Sequence, residues 1–262
     1  MALTSSTFSS KNLHNLKSHL EALRKIYFKD FLYSDPLQFP KRFSNPPDRE
    51  VSAVISALFA YGRVSNIINF LEKVHHFLGD SPYKGLFKKK KWNYGGYRFQ
   101  TEDDVARFFI CLKKVYSKYK TLEELFISFD GNPEEKLLNF VMCFREKAKP
   151  LTSGLDHLLC FPSQKSPVKR WRLFLRWVVR EDDGLDLGLW TALKPSELII
   201  PLDTHIAKNA RKLHLTKRKT KDLKFAIEVT ESLKLICKDD PLKYDFALVR
   251  EDILKNLLKK ED

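Results

Sequence analysis

The 262-residue sequence has no run of about 18 apolar residues, the length a helix needs to cross a bilayer, so transmembrane insertion is excluded. Its opening, Met1 to Ser10, is polar and serine-rich with no apolar core. It reads as part of a disordered lead-in over residues 1–12, not a secretion signal, and neither end carries a lipidation signal. The protein is therefore expected to be intracellular. Cysteine is sparse: Cys111, Cys143, Cys160 and Cys237 form no C-x-x-C pair and no cluster able to hold zinc or an iron–sulfur centre, so free thiols are expected and no metal or cofactor is implied. Strand-like alternation is also nearly missing, with only Leu198 to Leu202 reading as a short extended piece, and nothing repeats internally.

What is present is apolar surface and positive charge. With 43% hydrophobic and 13% aromatic residues the chain can bury a sizeable core. Lys and Arg number 47 against 33 acids, a formal net charge of +14 that points to a polyanionic partner, nucleic acid first and a membrane surface as the competitor. Helical spacing and capping signals predict helices over 13–27, 51–61 (with Asp48 as cap), 66–78, 101–119, from Thr121, from Pro133 to near Lys149, 166–180, 203–213, 220–237 and 241–258. The class is all-α. Residues 84–98 contain Lys88 to Lys91 among aromatics, with no acid, and read as an exposed basic loop.

The segment Leu198-Ile199-Ile200-Pro201-Leu202-Asp203-Thr204-His205-Ile206-Ala207 sets one acid after a stiff apolar approach, at a helix start. Asp is a common N-cap, and that alone accounts for Asp203; the alternative is a catalytic carboxylate. If Asp203 acts on a nucleoside, a lysine amine near it would convert base removal into a covalent imine. Lys169 fits: Ser166 as N-cap and Pro167 at the first helical position put it third in its helix, where the dipole and partial burial destabilise an ammonium. Its bystander role is phosphate contact within the basic run Lys165 to Arg172; Lys165 is the weaker nucleophile, and Arg170 stays protonated. Phe174, Trp177 and Trp190 are candidates to stack on a base, against ordinary core packing, and His205 is a supporting residue of the same pocket. Tyr61, Gly62 and Arg63 fall at a helix joint and are candidates for a gap in a duplex, against a plain helix break. Arg170, Arg172, Lys208, Arg211 and Lys212 are candidate phosphate contacts.

Strings such as "KRWRLFLRWVVR", "DLGLW", "IIPLDTHIAKNARKLHL" and "DPLKYDFAL" resemble an uncharacterised bacterial family of unknown function, over most of the chain. The stretch around Asp203 is similar to the "V-P-V-D-x-H" segment of the helix-hairpin-helix DNA glycosylases, whose Asp is the catalytic carboxylate. The interval from Lys169 to Asp203 looks more like the archaeal 8-oxoguanine glycosylase branch. The usual Gly-rich hairpin before the lysine has only Leu151-Thr152-Ser153-Gly154-Leu155 as counterpart, so hairpin phosphate binding does not carry over. Val249-Arg250-Glu251-Asp252 replaces an expected glycine-containing turn.

The resemblance implies an all-α, glycosylase-like domain over 13–262, built of two helical subdomains (about 48–165, and 13–47 plus 166–262) with the active site in the cleft between them. It further implies a monomeric, nucleoid-associated bacterial enzyme. The enzyme would bind double-stranded DNA, flip an oxidised purine and cleave its glycosidic bond through Lys169 and Asp203. A noncatalytic DNA- or RNA-binding protein of the same fold is the alternative.

Overall fold

A computed structural model describes residues 10–26, 29–88, 91–163 and 166–250. Residues 1–9 of the lead-in, Lys89, Lys90, Lys165, and the end of the last predicted helix with Glu251 and Asp252 lie outside the described residues. The rest is helical: α1 (Ser10–Ile26), α2 (Pro46–Leu58), α3 (Val64–Leu78), α4 (Pro82–Phe87), α5 (Glu102–Tyr116), α6 (Leu122–Ile127), α7 (Pro133–Lys147), α8 (Ser153–Leu158), α9 (Lys169–Val179), α10 (Thr204–Lys212) and α11 (Leu223–Lys234), with a last helix beginning at residue 245. Among the described residues only two isolated β-bridges occur. The stretch 198–202 joins no sheet; its Ile200 N–H donates to Thr230 Oγ1 on α11 at 3.0 Å.

Helix α2 is the central element. Every residue from Val51 to Leu58 is buried, the mark of a helix enclosed on all sides, and it packs along α9. Glu50, buried on α2, accepts hydrogen bonds from Tyr116 on α5, the Leu122 N–H at the start of α6, and the Trp190 indole. One acid thus ties three segments to the central helix, and burial pushes its carboxyl above the usual range despite those three donors. The buried apolar side chains form one continuous core that includes residues from both expected subdomains.

Local chemistry sets the helix starts. Thr101 with Asp104, and Asn132 with Glu135, make reciprocal capping boxes; Thr121, Asp203 and Asp222 cap through single side-chain bonds. Two short helices differ from the sequence expectation. The 84–98 loop begins inside α4, and Trp92 and Tyr97 within it are buried. The Gly- and Ser-containing connection after Pro150 holds α8, capped by Thr152. Asp48 is not the cap of its own helix: α2 begins two residues earlier, and Asp48 Oδ1 accepts from Ser81 Oγ (2.7 Å) and the Tyr83 N–H (2.9 Å), fastening the start of α4 to α2.

The predicted start of α9 also shifts. Ser166 closes a turn by donating its N–H to Ser163, and Val168 adopts a left-handed conformation (φ 40°, ψ 53°), so the helix starts at Lys169 itself. A β-branched residue with positive φ is strained. Arg172 Nε holds the strained turn by donating to Pro167 O at 2.8 Å.

Candidate functional site

The ends of three helices meet around a cleft of about 410 Å³. The α2–α3 joint supplies Tyr61 and Gly62, the start of α9 supplies Lys169 and Arg170, and the start of α10 supplies Asp203 and His205. Asp35, from the turns after α1, and Asp245, from the last helix, complete its lining. Residues from both spans expected as subdomains therefore face the same space.

Lys169 Nζ lies 3.0 Å from Asp203 Oδ2, although 34 positions separate them in the chain. The lysine side chain is 35% exposed and the aspartate 13%. Asp203 divides its two oxygens: Oδ1 accepts the Ile206 N–H at 2.8 Å as the α10 cap, while Oδ2 faces the amine. Burial works to raise its carboxyl. The Lys169 charge, the Ile206 N–H and the charge of His205 outweigh it and hold the group below the usual carboxylate range. Asp245 behaves oppositely. Burial, with Asp203 as a neighbouring negative charge, pushes it up to about 6, even though its Oδ2 accepts from Arg176 Nη1 at 2.7 Å.

The remaining candidates separate into those that face the cleft and those that do not. Trp177 and His205 line it; Phe174 and Trp190 do not. Trp190 is held in the core by its bond to Glu50 at 2.7 Å and packs edge-on against Phe174, ring centroids 5.4 Å apart, so neither ring is offered to a ligand. Arg172 is likewise no phosphate contact. Its side chain is 2% exposed, and its two terminal nitrogens donate to the two Glu134 oxygens at 2.7 and 2.6 Å. Arg170 lines the cleft but is buried, donating to the Leu58 and His157 carbonyls with its guanidinium 4.8 Å from the centre of the Tyr61 ring.

The same holds further along α9. Arg176 pairs with Asp245 and Asp186, and Arg180 with Asp186, Asp183 and Asp240. The basic string that reads as a phosphate surface is therefore largely an internal ion-pair lattice, because an amphipathic helix at the centre of a fold must neutralise its cations.

Tyr61 is half-buried, its hydroxyl bonded to Gln100; Gly62 has φ +105°; Arg63 is exposed as the N-cap residue of α3. Lys208, Arg211 and Lys212 are exposed along α10, with Arg211 donating to the Arg218 and Lys219 carbonyls and so bracing the following loop. Sequence reasoning assigned no role to His157, Asp245, Arg176 or Arg250. Asp245 lay within a quoted string, "DPLKYDFAL", whose pattern carries no chemistry by itself. Arg250 pairs with Asp35 at 2.6 Å and lines the cleft, joining the last helix to the turns after α1.

No helix among the described residues is long and apolar enough to cross a membrane. No group of three His, Cys, Asp or Glu among them could hold a metal ion. A family model described as "Protein of unknown function (DUF2400)" matches residues 35–254. No curated protein and no solved structure matches the chain.

Proposed function

The chain belongs to the DUF2400 family of proteins of unknown function, and we propose that it is a DNA base-excision glycosylase with Lys169 as nucleophile and Asp203 as proton acceptor. The observation that carries this is the 3.0 Å contact between the two side chains inside the cleft. The amine, after passing its proton to Asp203, attacks C1′ of an extruded nucleotide. The C1′–N bond breaks, its electron pair leaves with the base, and the base takes up a proton. Asp203, having handed the proton it accepted to the departing base, is again a carboxylate and stabilises the positive charge that develops on the sugar. Opening of the C1′–O4′ bond, with a proton to O4′, leaves an imine. Loss of the C2′ proton and departure of the 3′ phosphate would then nick the strand.

The resemblance to the archaeal branch favours an oxidised purine, 8-oxoguanine first, with Trp177 and His205 as pocket residues. The partner is double-stranded DNA carrying the damaged base, bound by a monomer among the chromosomal DNA of a bacterial cell. The net charge of +14 supports a polyanionic partner. The test is incubation with an 8-oxoguanine duplex under borohydride: wild type should give a covalent adduct and Lys169→Gln none. A wild type without adduct removes the covalent route. A second reading, a noncatalytic DNA- or RNA-binding protein, is favoured by the Asp203 cap bond to Ile206, which gives the carboxylate a structural purpose of its own.

A further inference from the structure

Beside the cleft, residues 97–100 form a tight turn closed by two reciprocal backbone bonds, Tyr97 N to Gln100 O and Gln100 N to Tyr97 O, both 2.9 Å. Its tip is Arg98 and Phe99. Arg98 adopts φ 53°, a conformation rarely taken by a residue with a side chain, and Phe99 is left 58% exposed. The turn is nonetheless firmly anchored. Gln100, buried, donates to Gly154 O at 2.8 Å and accepts from the Tyr61 hydroxyl, while the Tyr97 hydroxyl donates to Tyr61 O at 2.6 Å. The fold thus holds an apolar ring in water on a strained, pinned support.

Phe99 is also the outer member of an aromatic cluster that leads into the cleft. It lies 4.5 Å from the His157 ring, tilted to it by 53°, and 6.3 Å from Tyr61, nearly parallel to the latter at 9°, and both of those rings line the cleft. The Arg98 guanidinium sits 5.5 Å from the Phe99 ring centre and 5.8 Å from that of Tyr61. Gly62 makes this possible, since a Cβ there would collide with the Arg98 guanidinium. Burial, with the charges of Arg170 and Arg98, holds His157 below its ordinary pKa, which favours an uncharged ring beside Phe99. Arg98 also lines a separate shallow groove with Asn66, Asn69 and Lys73, whose amides and ammonium suit phosphate oxygens.

We propose that Phe99, backed by His157 and Tyr61 and flanked by Arg98, is a stacking platform for an unpaired nucleobase of bound DNA, at the gap left beside the extruded nucleotide. The inference rests on the base-excision reading of the neighbouring cleft and assigns to the 97–100 turn the contact expected of the α2–α3 joint. Every base has a π face, so the platform is tolerant of sequence, and the guanidinium adds attraction to ring and phosphate alike.

The probe is a duplex carrying one tetrahydrofuran abasic analogue, which supplies the gap without a cleavable base, compared with the intact duplex. Phe99→Ala should weaken binding to the gapped duplex about 5- to 150-fold, the range of one base–aromatic stack. It should leave the intact duplex and the slope of affinity against salt unchanged. Phe99→Trp should retain affinity, and its emission above that of wild type should be quenched by the gapped duplex alone. Equal binding of both duplexes by Phe99→Ala and wild type, or unquenched Phe99→Trp emission at saturation, overturns the platform. If Lys169-dependent trapping persists alongside either result, the base-excision reading stands without it; a wild type that binds neither duplex ends both.

Discussion

Asp203→Asn and Asp203→Ala together separate the two tasks of this carboxylate. Oδ1 caps α10 and Oδ2 faces Lys169. A cap is worth roughly 1 kcal/mol, and asparagine caps about as well as aspartate. Two unit charges 3.0 Å apart attract by about 5–6 kcal/mol at an effective dielectric near 20. Desolvation and the 35% exposure of the lysine return most of that, leaving about 1 kcal/mol net. The alanine variant should therefore lose about 2 kcal/mol and the asparagine variant about 1 kcal/mol, read from urea midpoints. Because the folded carboxyl is held below its usual value, the contribution of the pair is complete above the unfolded value near pH 4 and fades as pH falls through the folded one. Both variants should flatten the stability curve in that acid window alone. Catalysis should not divide the same way: either variant should slow borohydride-trappable adduct formation by about 10²- to 10⁴-fold, the usual weight of a positioned proton acceptor. An asparagine variant that traps at the wild-type rate, or that is as unstable as the alanine variant, refutes the division of labour.

Two further outcomes are expected. His75 is buried between Ser52 Oγ (2.7 Å) and Leu71 O (2.8 Å), and burial lowers it to about 4, so the unfolded chain takes its proton first. Stability should fall by about 2 kcal/mol as pH drops from 7 to 5. His75→Gln should lose that slope in urea titrations; an unchanged slope would place the effect elsewhere. Arg172→Met should cost about 1–2 kcal/mol, because it removes the bidentate pair and the bond to Pro167 O while the Glu134 left behind is 40% exposed and solvated. The variant should leave the slope of log Kd against log salt untouched in DNA titrations, whereas a slope smaller by about one would make Arg172 a phosphate contact after all.

The starts of helices with long apolar periodicity were legible from their own residues: α5 from Thr101 and Asp104, α7 from Pro133, α10 from Asp203. Helices α4 and α8 were not, since six residues give too few turns for a 3.6 period to show, and each contains a glycine at a close backbone approach, Gly85 against Leu78 and Gly154 against Phe99 O. Lys169 and Asp203 could be paired from the sequence because the base-excision reading asks for an amine near a carboxylate, although the route to Lys169 was wrong in detail. Val168, not Ser166, precedes the helix, and left-handed geometry at a valine leaves no sequence signal. Arg172 was misassigned, and Arg176 given no role, for a deeper reason. A cation in a sequence looks the same whether it meets a phosphate or a buried acid, and Glu134, Asp186 and Asp245 lie 38, 10 and 69 positions from Arg172, Arg176 and Arg176 respectively.

That lattice bears directly on which acid can serve the amine. Asp203 and Asp245 both line the cleft, and Asp245 is pushed up first by burial and further by the charge of Asp203. Their surroundings break the symmetry. Asp203 receives a helix-terminal N–H and the Lys169 ammonium, whereas Asp245 is enclosed, shares Arg176 with Asp186, and keeps Oδ1 without a donor. The result is one carboxyl below its ordinary range and one raised to about 6, in the same space. Divergent pKa values in neighbouring acids are how one site assigns separate proton roles. Asp203 is the group that stays ionised through the neutral range and touches the amine. Asp245, enclosed beside it and paired with Arg176, is held above the ordinary carboxylate range by burial.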